Sequence, residues 1–499
     1  MTTVHECTEW SFHAPGEPIP ADRTPITMTL RLGDRTVLVP GFWDGDDVYR
    51  VRFAAPVAGT WSWETTSEHP ALNALTGTLD VAAGERRGPV GVASVFHFAH
   101  ADGTPFRPVG ATAYNLLHQS DERIDTTVRA TREAGMNKFR FMVFPQAGDR
   151  VGRTPEVMPF EKRADGSWNP SRPVPAFFQR LDRLVRAFGD AGIQADVLIF
   201  NAYDQGFFGL DRMSEEEDAV YLRYLVARLS AFENVWWSLC NEFDVITDRP
   251  RERWTRMGEL LRAIDPHDHL RSIHNWMDLY DNNQPWVTHA SIQNGSATID
   301  FGRALLYRDV YEKPIVLDEI KYEGDISDRW GDLSAGELVR RMWITTVSGC
   351  YVTHGESFVL PDGGLHMVEG GEFQGQSAAR AGFLRRILDE LEIAGLDPID
   401  KWDDPAYVAG APRRQYLQYL PDAPGAWTFR LPQGNVGERL EVGDRFRVDV
   451  IDTWNMTVSP SERVFTVTEV QRNDAYARDD APLELPAGEA LALRITRVA

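Results

Sequence analysis

The stretch NVWWSLCNEFDV, Asn234–Val245, runs from an apolar segment into an amide and a carboxylate. Val235, Trp236, Trp237 and Leu239 suit a buried strand, and Asn241 and Glu242 close it. An unpaired buried charge is costly, so a carboxylate here is paired, protonated or set at a strand mouth to do chemistry. A second stretch, KPIVLDE (Lys313–Glu319), ends the same way, with Asp318 and Glu319. Two carboxyl groups in one pocket can divide acid and base work. One protonates a leaving oxygen, and the other attacks a carbon or activates water. Glycosidic bonds are cut by such pairs. A separation of about 5–5.5 Å implies retention through a covalent intermediate, and a wider gap implies inversion.

Something must hold these ends side by side. From Phe106 onward, short apolar strands alternate with amphipathic helices such as PAFFQRLDRLVRAFGDAG and EEEDAVYLRYLVARLSAF. Eight strand candidates appear: Phe106–Thr112, Asn137–Phe144, Gln194–Phe200, Asn234–Cys240, His269–Asn275, Thr288–Asn294, Lys313–Glu319 and Gly349–His354. The spacing predicts a (β/α)₈ TIM barrel over 93–400, with a doubly wound sheet as the alternative. Residues 1–85 alternate apolar and polar side chains between turn residues and predict an N-terminal β-sandwich. Residues 412–499 predict a C-terminal one. Ala82–Val92 reads as a linker.

In a parallel barrel, chemistry collects at the C-terminal strand ends. Here those ends are polar: Arg140; Asn201, Tyr203 and Asp204; Asn241 and Glu242; His274 and Asn275; Gln293 and Asn294; Asp318 and Glu319; His354 and Glu356. Glu242 and Glu319, on strands four and seven, face each other across the expected mouth. The competing reading of Glu242 is an acid at a helix start. Asp318 rivals Glu319, because only one of two successive strand side chains points inward. Arg140 has a structural ion pair as its alternative. His274, Gln293, His354 and Glu356 are candidate substrate contacts. Tyr114, Tyr203, Trp276, Trp286, Tyr322 and Trp330 are candidate sugar platforms. No His-x-x-x-His or Cys-x-x-Cys spacing occurs, so neither a metal nor another cofactor is expected.

The chain has 52 basic and 74 acidic residues, a net charge of −22. That surface repels nucleic acid and anionic membranes and leaves a neutral carbohydrate as a compatible partner. Three cysteines, Cys7, Cys240 and Cys350, form no disulfide framework. No basic segment followed by an apolar one opens the chain, and no apolar run is long enough for a membrane span, so a cytoplasmic location is expected.

The Asn-Glu ending strand four and the Glu ending strand seven resemble the clan of retaining glycoside hydrolases built on (β/α)₈ barrels. The chain as a whole resembles the apiosidase-like glycoside hydrolases, which carry a β-sandwich domain of unknown function at each end. The matching stretches are FWDGDDVYRVRFAAPVAGTWSWETTS, HFAHADGTPFRPVGATAYNLLHQ, ENVWWSLCNEFD, DPHDHLRSIHN, WVTHASIQN, KPIVLDEIKYEGDISDRWGDL and YVTHGESF. The resemblance implies Glu242 as general acid/base, Glu319 as nucleophile, Asn241 on the sugar 2-hydroxyl and Arg140 holding the nucleophile ionised. Two departures stand out. Strand six offers Gln293 where the clan often has a tyrosine touching the nucleophile. Strand eight offers THGESF where the clan often has a tryptophan floor. The loop Pro361–Ser377 is also poorer in tryptophan than its counterparts.

The expected activity is therefore removal of terminal sugars from oligosaccharides or glycosides by double displacement. A transglycosylase using the same pair and a glycan-binding pseudoenzyme are the alternatives. For the sandwiches, three roles stay open: walling the pocket, joining subunits of a homo-oligomer, or binding carbohydrate.

Overall fold

The computed structural model describes residues 2–148, 155–204, 206–293, 301–399, 407–433, 438–488 and 490–498, with the backbone alone at 301 and 302. Its centre is an eight-stranded parallel sheet closed almost into a barrel. The strands are β1 (Val109–Thr112), β2 (Lys138–Met142), β3 (Gln194–Asn201), β4 (Val235–Asn241), β5 (Arg271–Ser272), β6 (Ala290–Gln293), β7 (Ile315–Glu319) and β8 (Tyr351–Thr353). Their spatial order is β5-β4-β3-β2-β1-β8-β7-β6, and a parallel bridge between His274 and Ser291 draws β5 to β6. Every residue of β3 and β4 is buried, as expected for strands covered on both faces.

Helices α1 (Asp121–Glu133), α2 (Pro175–Asp190), α3 (Glu215–Leu229), α4 (Arg251–Ile264), α5 (Phe301–Tyr311), α6 (Ala335–Val347) and α7 (Ser377–Asp389) surround the barrel. Serines start three of them. The Ser120, Ser214 and Ser334 hydroxyls each accept an otherwise unpaired N–H in the first turn. Between β5 and β6 there is no helix: Trp276–Trp286 forms a loop, consistent with its turn-forming Asp281-Asn282-Asn283 and Pro285. None of the described helices is long and apolar enough to cross a membrane.

Two sequence expectations need correction here. Val90–Ala93, at the end of the supposed linker, pairs with His97–His100, and Pro105–Phe106 pairs on the other side. This small antiparallel sheet caps the N-terminal end of the barrel, where Phe98 and Phe106 pack on Trp236 and Phe98 packs on Tyr351. So Phe106 belongs to the cap, and the first barrel strand begins at Val109. An apolar run does not reveal which of two sheets it joins.

The flanking regions are all-β. At the N-terminus, a five-stranded and a three-stranded sheet enclose Ile26, Met28, Val51, Phe53 and Trp61. At the C-terminus, a six-stranded sheet and two smaller ones enclose Phe429, Phe446 and Phe465. The N-terminal region is tied to the barrel by buried ions. Asp182 on α2 accepts from Arg52 at 2.7 Å and from Arg228 on α3 at 2.8 and 2.9 Å, and Arg228 also meets Asp44 at 2.8 Å. The C-terminal region stacks Tyr419 on Trp343 of α6, ring centres 5.8 Å apart. Removing one member of a buried ionic network leaves its partners unpaired, at a cost of about 3–5 kcal/mol. Asp182→Ala is expected to lower stability by about that amount, read as a fall in the urea midpoint.

Candidate active site

At the C-terminal end of the barrel, Tyr114, Gln146, Tyr203, Glu242, Trp276, Gln293, Glu319, Lys321, Tyr322, Trp330, Leu365, Met367 and Val368 line an open pocket of about 390 Å³. Glu242 and Glu319 stand in its wall together.

Local backbone geometry brings each carboxylate in. Asn241 already points into the barrel, so its successor in a regular strand would face outward. Glu242 instead adopts a left-handed conformation, φ +53° and ψ +54°. This costs a non-glycine residue on the order of 1–2 kcal/mol. Such strain persists where surrounding contacts impose it, often at functional sites. On β7, the register with β6 shifts between Ile292 and Gln293, so that Gln293 pairs with Glu319 and Asp318 is the extra residue. A bulge interrupts strict alternation. Both Asp318 and Glu319 therefore reach the barrel interior, and the choice between them dissolves. Asp318 lies deeper, 2.6 Å from Lys138 Nζ, and accepts the hydroxyls of Ser291 at 2.6 Å and Thr353 at 2.7 Å. Its role is ionic packing under the pocket floor.

Glu319 is surrounded by donors. The Tyr114 hydroxyl donates to its Oε1. His274 Nε2 lies 3.2 Å from the same oxygen, and Arg140 Nη1 lies at 3.6 Å. Burial alone would push this carboxyl up, but His274, Arg140 and Tyr114 outweigh it and hold Glu319 well below the usual carboxylate range. Glu242 moves the other way. Burial first, then the charge of Glu319, raise it to about 8 against hydrogen bonds from Tyr203 and Gln293. One carboxyl is thus kept ionised and its neighbour kept protonated, the division that acid-plus-nucleophile chemistry requires.

The remaining candidates divide into three groups. Tyr203, Gln293, Trp276 and Tyr322 line the pocket. Asn201 accepts the Tyr203 N–H at 2.9 Å, and Asn275 accepts the Gln293 N–H at 3.3 Å, so the strand-end amides set the wall residues. Trp276 is held at the rim because Asp244 accepts its N–H at 2.6 Å, and it remains 51% exposed. Gly355 makes room for the Tyr322 ring: a Cβ there would lie 2.2 Å from it.

Arg140, Asn241 and His274 sit beneath the lining. Arg140 Nη2 donates to Asn241 Oδ1 at 2.8 Å, and the Asn241 amide donates to the Tyr203 hydroxyl at 3.2 Å. They bear on the two carboxylates more directly than on the cavity. Asn294 lies outside the described residues.

His354 and Glu356, expected in the pocket, are not among its lining residues. Glu356 accepts the N–H groups of Gln374 at 2.7 Å and Gly375 at 3.1 Å, while Glu323 accepts those of Gln376 and Ser377, each at 2.9 Å. His354 Nε2 meets the Ser377 hydroxyl at 2.8 Å. These groups clamp the segment that enters α7. Ligand-type atoms of Glu323, His354 and Glu356 lie within 4.8 Å of one another, but the carboxylate oxygens are already met by N–H donors. Trp286 is also no sugar platform. It is fully buried, edge-on to Tyr280, with ring centres 5.8 Å apart.

Sequence reasoning missed the link between Tyr114 and Glu319. It placed Tyr114 among sugar platforms and left the nucleophile's partner open once Gln293 replaced the usual tyrosine. In the structure Tyr114 arrives from the loop after β1, with its hydroxyl 3.0 Å from that of Tyr322. Its only sequence signal is a tyrosine two residues beyond a strand end. A hydrogen bond to a charged group is worth about 1.5–3 kcal/mol. Tyr114→Phe is expected to cost roughly 10–100-fold in kcat/KM and to move the acid limb of the pH profile upward. Steady-state kinetics across pH check both effects.

Residues 95–421 match a family model described as Apiosidase-like, catalytic domain. Residues 2–68 and 402–496 match two domains of unknown function, DUF5060 and DUF5605. A candidate glycoside hydrolase from Bacteroides vulgatus ATCC 8482 is 33% identical, with TM-score 0.94, over 100% of this chain and 99% of its own. A family 5 glycoside hydrolase from the same strain shares the fold at 13% identity and TM-score 0.58, over 82% of this chain and 93% of its own. No curated protein matches the sequence.

Proposed function

This chain belongs to the apiosidase-like family and is a glycoside hydrolase; from that premise we propose that it cleaves terminal sugars from oligosaccharides or small glycosides with retention of configuration. The observation that carries the two-carboxylate reading is the opposed tuning of two carboxyl groups in one pocket wall, Glu319 kept ionised and Glu242 kept protonated. Retention is what the resemblance to the retaining clan implies. Glu319 attacks the anomeric carbon while Glu242 donates its proton to the departing oxygen. The bond to the leaving group breaks as the glycosyl ester forms. Having given up its proton, Glu242 stays a carboxylate, because esterification removes the negative charge of Glu319 that had held its proton affinity high. It then takes a proton from the water that attacks the same carbon, and the ester bond breaks to restore the Glu319 carboxylate.

Other groups support the sugar itself. Asn241, fixed by Arg140, donates to the Tyr203 hydroxyl and so orients that wall residue toward the sugar. Trp276 and Trp330, half exposed at the pocket, offer apolar faces to a pyranose or furanose ring. Leu365, Met367 and Val368 add an apolar stretch to the pocket lining.

The test is a screen of aryl pentofuranosides, pentopyranosides and hexopyranosides, with the first-formed product anomer read by proton NMR. Product with the substrate's anomeric configuration supports double displacement. The opposite anomer refutes it, and assigns Glu319 to activating water.

A further inference from the structure

His274 was expected among the substrate contacts, but its ring is wholly buried and lies against the nucleophile. Its hydrogen bonds constrain its protons. Asp318 is held ionised by Lys138 and Arg140, so the Ser291 hydroxyl at 2.6 Å must donate to Asp318 Oδ2. Ser291 Oγ, having spent its hydrogen there, can only accept from His274 Nδ1 at 2.9 Å. Nδ1 therefore carries a proton. Nε2 is buried with no hydrogen-bond partner among the described residues and has Glu319 Oε1 3.2 Å away, so a neutral ring would leave two acceptors side by side in a dry site. Moving the single proton to Nε2 would leave one serine hydroxyl to satisfy both Nδ1 and Asp318. Only a ring protonated on both nitrogens satisfies all three partners.

We propose that His274 is a positively charged positioning residue, linked through Ser291 to Asp318, that fixes Glu319 as a carboxylate and orients its attacking oxygen. The proposal rests on the two-carboxylate reading above. The charged and titratable groups around this pair are Asp318 and Glu319 from β7, Glu242 just after β4, Lys138 and Arg140 from β2, Asp196 on β3 and Tyr203 after it, His289 just before β6, Tyr114 after β1 and Tyr322 after β7. Arg140 reaches Glu319 at 3.6 Å and is shared with Asn241 and the Asp318 carbonyl, so it does not replace the cation at 3.2 Å.

Nitrogen NMR of the wild-type protein with labelled histidine reads the ring directly. Two ring N–H groups on His274 at pH 7 are expected, and one would overturn the proposal. His274→Gln keeps a donor without the charge. In this variant, carbon NMR of labelled glutamate should show Glu319 titrating at least about one pH unit higher, a tenfold change in its acid constant. The acid limb of kcat/KM should move up with it while KM stays nearly constant. A folded His274→Gln in which Glu319 titrates as in wild type would also overturn the proposal. Should that variant fail to fold, Ser291→Ala removes the Nδ1 acceptor and is expected to shift Glu319 the same way; an unmoved titration there counts against it. Both NMR readings need no substrate, so absence of glycoside turnover would sink the hydrolytic reading without deciding this one.

Discussion

Glu319→Gln is expected to lower kcat/KM on aryl glycosides by roughly 10⁴–10⁶-fold, the scale reached when a member of a nucleophilic catalytic unit is removed. An amide has no free carboxylate oxygen to attack the anomeric carbon. It also places a neutral group where Tyr114, His274 and Arg140 converge on a charge. Those donors then stabilise nothing, so the loss exceeds that of a single hydrogen bond. The shortened Glu319→Ala leaves room for a small anion. Azide should restore turnover in that variant and yield a glycosyl azide of inverted configuration, because azide takes the place of the missing carboxylate. Rescue by azide at position 242 alone would leave Glu319 without support as the nucleophile.

The second large effect concerns the acid. Glu242→Gln is expected to reduce kcat/KM by about 10²–10⁴-fold on substrates with poor leaving groups, the usual worth of positioned acid catalysis. Substrates with very acidic phenols should suffer far less in the first step, since they depart without a proton. Release of the glycosyl-enzyme then becomes slow, and a burst of phenol should precede steady turnover. The pH dependence carries a definite sign. Glu242 works as an acid only while protonated, and burial with the charge of Glu319 raises it to about 8. Wild-type kcat/KM should therefore fall as pH rises through that region, and the alkaline limb should vanish in Glu242→Gln. Persistence of the limb in the variant would assign it to another group. The two carboxyls interact, so each limb belongs to the pair as a coupled unit.

Much of this site was legible from local sequence. NVWWSLCNEF and KPIVLDE state a buried strand ending in acid, and the βα spacing states that such ends share one face. What spacing left open was the parity of consecutive residues. Asp318 and Glu319 both turn inward because β7 bulges against β6. Glu242 follows Asn241 inward because its backbone is left-handed. Both are departures from the period of two on which strand reading rests, imposed by neighbouring strands and loops. His354 and Glu356 show the opposite failure. They stand at a strand end as polar as any other, yet nearby backbone N–H groups from Gln374–Ser377 claim the carboxylates of Glu323 and Glu356. A sequence does not announce which loop will fold back to take an acid's lone pairs.

By itself, then, the chain's order of residues determined the alternation of strands and helices, the all-β flanks and the presence of acids at strand ends, because apolar periodicity and strand-end polarity are written within a few neighbouring residues. It left a barrel and a doubly wound sheet as alternatives. Only the tertiary structure decided which side chains hold those acids in opposite states. Tyr114 and Glu319 are 205 positions apart, and the contact between them depends on strand order around the barrel and on one bulge. Proton affinities are set by burial and charge across such distances, which only the closed fold brings together.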